Sequence, residues 1–238
     1  MLKTLLFYFT LATSLIIASL NLLKANYLER KGRLEERTKL IHKVSYSWAN
    51  LILKISGAKI TITGLENIPK DTTVLFVANH QSYFDIPLLI GSIDIPKGFI
   101  AKKELAKWIG IRIWMKYIRC TFLDRDNMRK SAEAIVEGIN TLKSGYSMVV
   151  FPEGTRSKGG EPLEFKAGSF KLATKSKVPI VPITIDGTYK LLESNAKKIK
   201  SASIKVIIHP SIDVTSLTKE EINELPNRVR EIVLNPLY

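Results

Sequence analysis

The chain of 238 residues carries 36 Lys and Arg against 22 Asp and Glu, a formal net charge of +14. That balance favours anionic partners, whether nucleic acid, an anionic bilayer surface or a phosphorylated substrate. Cys120 is the only cysteine, and His42, His80 and His209 lie far apart, which excludes an intramolecular disulfide and argues against a metal cluster, redox chemistry or a cofactor.

The run Thr4 to Leu23 has no charged residue, and about 20 apolar residues suffice to cross a hydrocarbon core as a helix. Only Lys3 precedes it and no Ala-x-Ala site closes it, so a retained membrane segment is expected rather than a cleaved signal peptide. Lys24 to Lys43 holds seven basic and three acidic residues, which by the positive-inside tendency predicts a domain on the cytoplasmic face, beside anionic head groups. Val44, Trp48, Leu51, Ile52 and Ile55 repeat at helical spacing. Two readings stand for this patch: an interfacial helix with Tyr46 and Trp48 at head-group depth, or core packing. Residues 1–56 are therefore expected to form an N-terminal membrane-seated helical segment, and residues 57–238 the domain it serves.

Ala58 to Thr63 alternates and stops at Gly64, which predicts a half-exposed strand. Val74 to Ala78 predicts a buried strand, and a short helix to Gly91 follows, with Pro87 early in it. After Phe99 to Ala101, Glu104 to Tyr117 reads as one helix carrying Trp108, Ile111, Trp114 and Met115, most of them expected in the core. Ile118 to Leu123 reads as a strand. Asp126 or Asn127 can cap a helix with the apolar face Ala132, Ile135, Val136, Ile139 and Leu142. Ser147 to Phe151, Ile180 to Ile185 and Ile204 to His209 read as further strands, Ala167 to Lys175 as a helix, and Glu220 to Leu234 as a helix interrupted near Pro226. Strands alternating with helices predict a single α/β domain with a mixed or largely parallel central sheet flanked by helices. In such sheets ligands bind at the carboxyl ends of strands.

Two strand ends carry chemistry. Asn79-His80-Gln81-Ser82-Tyr83-Phe84-Asp85 follows the strand Val74 to Ala78. A histidine takes protons near neutral pH when a partner fixes its tautomer, and Asp85 can fold back toward His80 from the first turn of the helix. The bland alternative is a capping box in which Asp85 merely caps that helix. The second stretch, Phe151-Pro152-Glu153-Gly154-Thr155-Arg156-Ser157, also follows an apolar run.

With Ala101-Lys102-Lys103-Glu104-Leu105, Phe122-Leu123-Asp124-Arg125 and Val178-Pro179-Ile180-Val181-Pro182-Ile183, these segments resemble the glycerolipid acyltransferase family. Within it they are most similar to the bacterial lysophosphatidic acid acyltransferases. The resemblance covers about Val74 to Gly187 and rests on several blocks in one order. It implies a membrane-bound enzyme that moves an acyl group from an activated donor, acyl-CoA or acyl carrier protein, to 1-acylglycerol-3-phosphate, giving phosphatidic acid. His80 would be the base and Asp85 its orienting partner, in direct transfer with Ser82 structural. Arg125 and Arg156 offer planar forks suited to phosphate, and Lys102 a point charge. Glu153 would order the loop or touch the glycerol, Gly154 would permit close backbone approach, and Thr155 would contact substrate. For the large side chains of Glu104 to Tyr117, bordering the acyl path is the alternative to the core in a lipid enzyme. Two departures stand out: Arg119-Cys120-Thr121 where relatives often have a glycine, and Lys166-Ala167-Gly168 where paired lysines are usual. The competing readings are an acyltransferase for another acceptor, such as glycerol phosphate or a lysophospholipid, and a non-catalytic basic lipid-binding module. The basic residues are dispersed and no compact nucleic-acid signature occurs, so no nucleic-acid partner is expected.

Overall fold

The apolar runs resolve into seven strands, β1 (Ala58–Thr63), β2 (Leu75–Ala78), β3 (Lys97–Lys102), β4 (Thr121–Leu123), β5 (Ser147–Val150), β6 (Ile180–Asp186) and β7 (Ala202–Ile208), in a computed structural model that describes residues 1–238. Eight α-helices accompany them: α1 (Leu2–Ser19), α2 (Asn21–Arg30), α3 (Leu34–Ser56), α4 (Asp85–Ser92), α5 (Ile109–Tyr117), α6 (Met128–Lys143), α7 (Lys171–Ser176) and α8 (Lys219–Leu234). The sheet order is β1-β7-β6-β2-β5-β3-β4. Every neighbouring pair is parallel except β6 and β7.

β2 lies inside the sheet, paired to β5 on one side and β6 on the other, and all four of its residues are buried. Because successive side chains of a strand face opposite ways, Phe76 and Ala78 join the core under α1, α3 and α4, while Leu75 and Val77 join the one under α6, α7 and α8. Helices thus cover both faces, the mostly parallel α/β arrangement expected from the alternation of elements. Parallel strands put the carboxyl ends of β2, β5, β6, β3 and β4 on one edge, where the loops after them meet.

α1 lies against the domain along its length. Lys3 Nζ donates to Ser201 Oγ at 2.8 Å, Thr4 Oγ1 accepts from Ile199 N at 3.1 Å, and Trp48 Nε1 donates to Ser14 Oγ at 3.2 Å. Trp114 Nε1 donates to Ser19 Oγ at 2.9 Å and Tyr117 bonds Asn26 in α2. Phe7 is 4% exposed and packs on Phe84 with ring centroids 5.7 Å apart. Leu2 to Arg30 is long and apolar enough to cross a membrane. Its outer face, including Leu5, Leu6, Phe9, Ile16, Ile17 and Leu20, is exposed.

One open reading is decided, in favour of core packing, and several sequence expectations are corrected. The patch Val44 to Ile55 is largely core: Ile52 and Leu53 are buried, Trp48 and Ile55 pack against the same cluster, and only Leu51 stands out. Glu104 to Tyr117 is not one helix. A 3-10 turn, Lys103–Lys107, leads to Trp108 in extended conformation before α5 begins, which leaves Trp108 and Ile111 exposed and only Trp114 and Met115 buried. β4 is shorter than Ile118 to Leu123 because Arg119 takes φ 55, left-handed backbone that ends regular structure and favours glycine. That is where relatives were expected to carry one.

α6, capped by Asn127, buries Ala134, Gly138 and Leu142 and leaves Ala132 and Val136 in solvent. Ile135, Ile139 and Leu142 of the expected face do pack on the core, but the helix turns so that Gly138 meets α7, where a Cβ would stand 2.6 Å from Leu172 Cδ2. Pro226 sits inside α8 without interrupting it. Leu225, Val229 and Val233, all fully buried, hold the helix across the missing donor.

Candidate active site

β2 ends at Ala78, and the next three side chains tie the turn to its neighbours. Asn79 Nδ2 donates to Ile185 O and Asn79 Oδ1 accepts from Ile185 N, both at 2.8 Å, and Gln81 Oε1 accepts from Gly187 N at 2.9 Å. His80 between them points into the edge. Its side chain is 17% exposed, and its ring stacks on Phe151 at 4.1 Å with an interplanar angle of 18°.

His80 Nδ1 lies 2.6 Å from Asp85 Oδ2. Asp85 is fully buried, and the same Oδ2 accepts the N–H of Gln81 at 2.7 Å and of Ser82 at 2.9 Å, while Oδ1 accepts from Thr188 Oγ1 at 2.6 Å. A buried carboxylate surrounded by donors is held as an acceptor, so the ring nitrogen facing it carries the proton. Nε2 is left as the basic nitrogen at the mouth. Asp85 therefore does cap the turn, through the N–H groups of Gln81 and Ser82, and orients the imidazole with the same oxygen.

The loop after β5 is sewn to that turn. Ser157 N donates to His80 O at 2.8 Å and Lys158 N to Gln81 O at 3.2 Å. Glu153 is 2% exposed, and its oxygens accept His80 N at 2.7 Å and Leu163 N at 3.1 Å. Burial pushes its pKa up, and the two backbone N–H groups and His80 oppose that shift. Both Glu153 oxygens thus face backbone, one on the turn after β2 and one on the loop at Leu163. Ser82 Oγ donates to Glu193 Oε2 at 2.7 Å and accepts from Phe84 N at 3.0 Å, the arrangement of a turn-forming serine.

Gly154 has φ 77, and a Cβ there would fall 3.0 Å from Lys166 Nζ and 3.6 Å from the Arg125 guanidinium carbon. Arg125 donates to Gly154 O, so two cations close on this glycine. Arg156 Nη1 is 3.3 Å from Glu193 Oε1, and its guanidinium lies over the Tyr83 ring at 3.5 Å. Thr155 is exposed beside them. Lys102 is half exposed and pairs with Glu104 at 3.4 Å, whereas Lys103 turns to Asp124 at 2.6 Å and Asp126 at 3.0 Å, which raises its pKa. The structure thus gathers His80, Asp85, Glu153, Gly154, Thr155, Arg125 and Arg156 and leaves Lys102 turned toward its own loop.

Sequence reasoning missed Thr188 and Glu193, which complete the histidine turn from the segment after β6, and gave Lys166 no role. Thr188 is fully buried, and Glu193 accepts from Ser82, Tyr83 N and Arg156 together. No local pattern marks either residue; their partners lie more than a hundred positions earlier for Asp85, Ser82 and Tyr83.

Residues 59–186 match the family model described as Acyltransferase, over more than half of the chain. The chain belongs to the acyltransferase family. A 1-acyl-sn-glycerol-3-phosphate acyltransferase of Borreliella burgdorferi is 32% identical over 199 residues, covering 82% of this chain and 80% of that protein. The alpha form from Homo sapiens is 32% identical over 184 residues, 75% of this chain and 63% of that protein. Among solved structures, the 1-acyl-sn-glycerophosphate (LPA) acyltransferase PlsC from Thermotoga maritima superposes with a TM-score of 0.86 at 33% identity, covering 99% of this chain and 93% of that chain. The family match spans the β2 turn, the Arg125 turn and the Phe151 loop. It begins near Gly57, where α3 stops.

Proposed function

We propose that this acyltransferase acylates the free hydroxyl of 1-acylglycerol-3-phosphate from a thioester donor, acyl-CoA or acyl carrier protein, and releases phosphatidic acid and the free thiol. The observation that carries the reading is the His80–Asp85 pair at 2.6 Å, with Nδ1 committed to a buried carboxylate and Nε2 open to the mouth. Nε2 takes the hydroxyl proton as that oxygen attacks the thioester carbonyl. The tetrahedral adduct then collapses: the new ester forms, the C–S bond breaks, and the leaving sulfur recovers the proton from His80. The N–H groups of Thr155 and Arg156 are among the loop donors with no acceptor within the protein, and they supply the oxyanion contacts in this reading. Arg125 and Arg156, with Lys166 beside Gly154, hold the acceptor phosphate, and Thr155 borders it. Ser82 carries no acyl group, being fixed between Glu193 and Phe84 N.

Residues 1–56 serve as the membrane-facing segment and 57–238 as the acyltransferase domain. α1 is bonded to the domain near both ends, at Ser201 and Trp114, and Phe7 packs on Phe84 between them. This supports a helix that lies in the cytoplasmic leaflet of the cell membrane with its outer face, on a surface rich in anionic lipid, over one that crosses and leaves the domain behind. The test offers purified protein in detergent a panel of labelled acceptors (lysophosphatidic acid, glycerol phosphate, a lysophospholipid) with each donor, and identifies products by mass spectrometry. Phosphatidic acid as the main product supports the reading. Faster turnover of glycerol phosphate or of a lysophospholipid, or none of any acceptor, overturns it.

A further inference from the structure

We infer that the start of α5 is a second membrane-seated element, continuous with the outer face of α1, and that the two together fix the mouth of the site at the lipid surface. The inference rests on the membrane reading of α1 given above. Trp108 is 67% exposed and Ile109 65%, followed by Ile111 at 40% and Ile113 at 38%. A soluble surface scatters such residues singly, whereas Ile109 and Ile113, four positions apart, share one face of α5 directly after Trp108, with Ile111 on the other side of the same exposed tip. Trp108 is turned outward because its own φ −89 and ψ 94 break the chain between the 3-10 turn and the helix.

The patch has a neighbour and a polarity. Gly110 faces Leu15 of α1, where a Cβ would meet Leu15 Cδ2 at 3.7 Å, and Trp114 is bonded to Ser19. The apolar tip of α5 therefore abuts the exposed row of α1. Lys107, Arg112 and Lys116 are all exposed around it. Lys107 directly precedes Trp108 and Arg112 stands between Ile111 and Ile113, so cations flank the apolar side chains on both sides and fit anionic head groups. The 3-10 turn before α5 begins at Lys103, directly after β3, on the edge that carries His80. A bilayer holding Trp108 therefore lies beside the catalytic mouth.

The experiment uses the full chain with vesicles of phosphatidylglycerol and phosphatidylcholine, with and without brominated acyl chains. Wild type, Trp108→Phe, and the double variant Trp108→Ser/Ile109→Ser are compared by sedimentation, tryptophan emission and turnover. Bound wild type should show a quenched emission component that Trp108→Phe lacks. The double variant should bind vesicles at least about 100-fold more weakly, as expected for losing two large apolar side chains from lipid. It should also be slower on a long-chain acceptor in vesicles, yet equal to wild type on a short-chain acceptor dissolved as monomers. Three results overturn the inference. If bound wild type shows no quenching from Trp108, α5 stays in water while α1 remains seated. If the double variant binds normally but changes donor chain-length preference, the patch lines the acyl path. If wild type fails to sediment with vesicles, the membrane reading falls and this inference falls with it.

Discussion

His80 has its tautomer set by a carboxylate that is itself over-determined, receiving two backbone N–H groups and the Thr188 hydroxyl besides the ring. His80→Ala should therefore fold and still associate with membrane, while acyl transfer falls at least about 100-fold, as for loss of a general base. Asp85→Asn should lose most activity as well, because an amide can present its N–H to the ring and favour the wrong tautomer. Near-normal turnover of either variant, with correct folding shown by circular dichroism, would remove the base assignment. The two arginines separate binding from chemistry. Arg125→Ala and Arg156→Ala should each lower kcat/KM for lysophosphatidic acid by roughly 10- to 150-fold, mainly through KM, as for a lost charge-assisted bond to phosphate. Lysine should restore only part, since it lacks the fork. A monoacylglycerol acceptor is the control: losses there as large as with phosphate would mean that the arginines hold the fold. Arg156 is the more exposed to that outcome, because it is already paired with Glu193 and stacked on Tyr83.

At the scale of elements, the helices and strands were read from local signals where those signals were strong, and missed where a neighbour overruled them. β1, β2, β5, β6 and β7 follow from alternation or buried runs, and Asn127 caps α6 as its position suggested. The inward face of α6 was read correctly at Ile135, Ile139 and Leu142 and missed at Ala132 and Val136, because closeness to Leu172 selects Gly138 there, a fact about α7 that α6 does not contain. The site divides in the same way. The His80 turn and the Phe151 loop were visible as motifs, whereas Glu193 and Thr188 act on residues 103 to 111 positions away. α1 was legible as an apolar helix, and its docking was not. That docking has a measurable result: Phe7, buried on Phe84, should when changed to alanine cost about 3–5 kcal/mol of domain stability in detergent. A helix that served only as a detachable anchor would leave the unfolding transition unchanged.

Across the whole molecule, stability should depend on pH through a small buried set near β3. Lys97 is 4% exposed; burial brings its pKa down to about 7, although Nζ donates to Ile93 O at 2.7 Å and Ile95 O at 2.8 Å. Between that value and the unfolded pKa of about 10.4 the unfolded chain binds the extra proton, so stability rises with pH. Burial pushes Cys120 up to about 12 and Tyr146 likewise to about 12. For these the folded state keeps a proton that the unfolded chain loses above about 8.5 and 10, so stability falls as pH climbs past those values. The sum predicts a stability that rises from neutral pH to about 9 and declines above about 10. Denaturant midpoints measured across that range check it, and Lys97→Met should flatten the rising limb. A midpoint that falls steadily from pH 7 would show that Lys97 stays charged at its carbonyl partners.

The amide of Asn79 has a consequence of another kind. By both giving and accepting a bond with Ile185 at 2.8 Å, it stands in for a backbone peptide and continues the β2–β6 ladder one rung after the main chain has begun to turn. Asp offers no donor, Ser is too short, and Gln adds a methylene that would carry the amide past the rung. The position is a lock that a single side chain opens. The histidine's freedom to leave the sheet depends on that one amide, since no other side chain both gives and takes a bond at that reach.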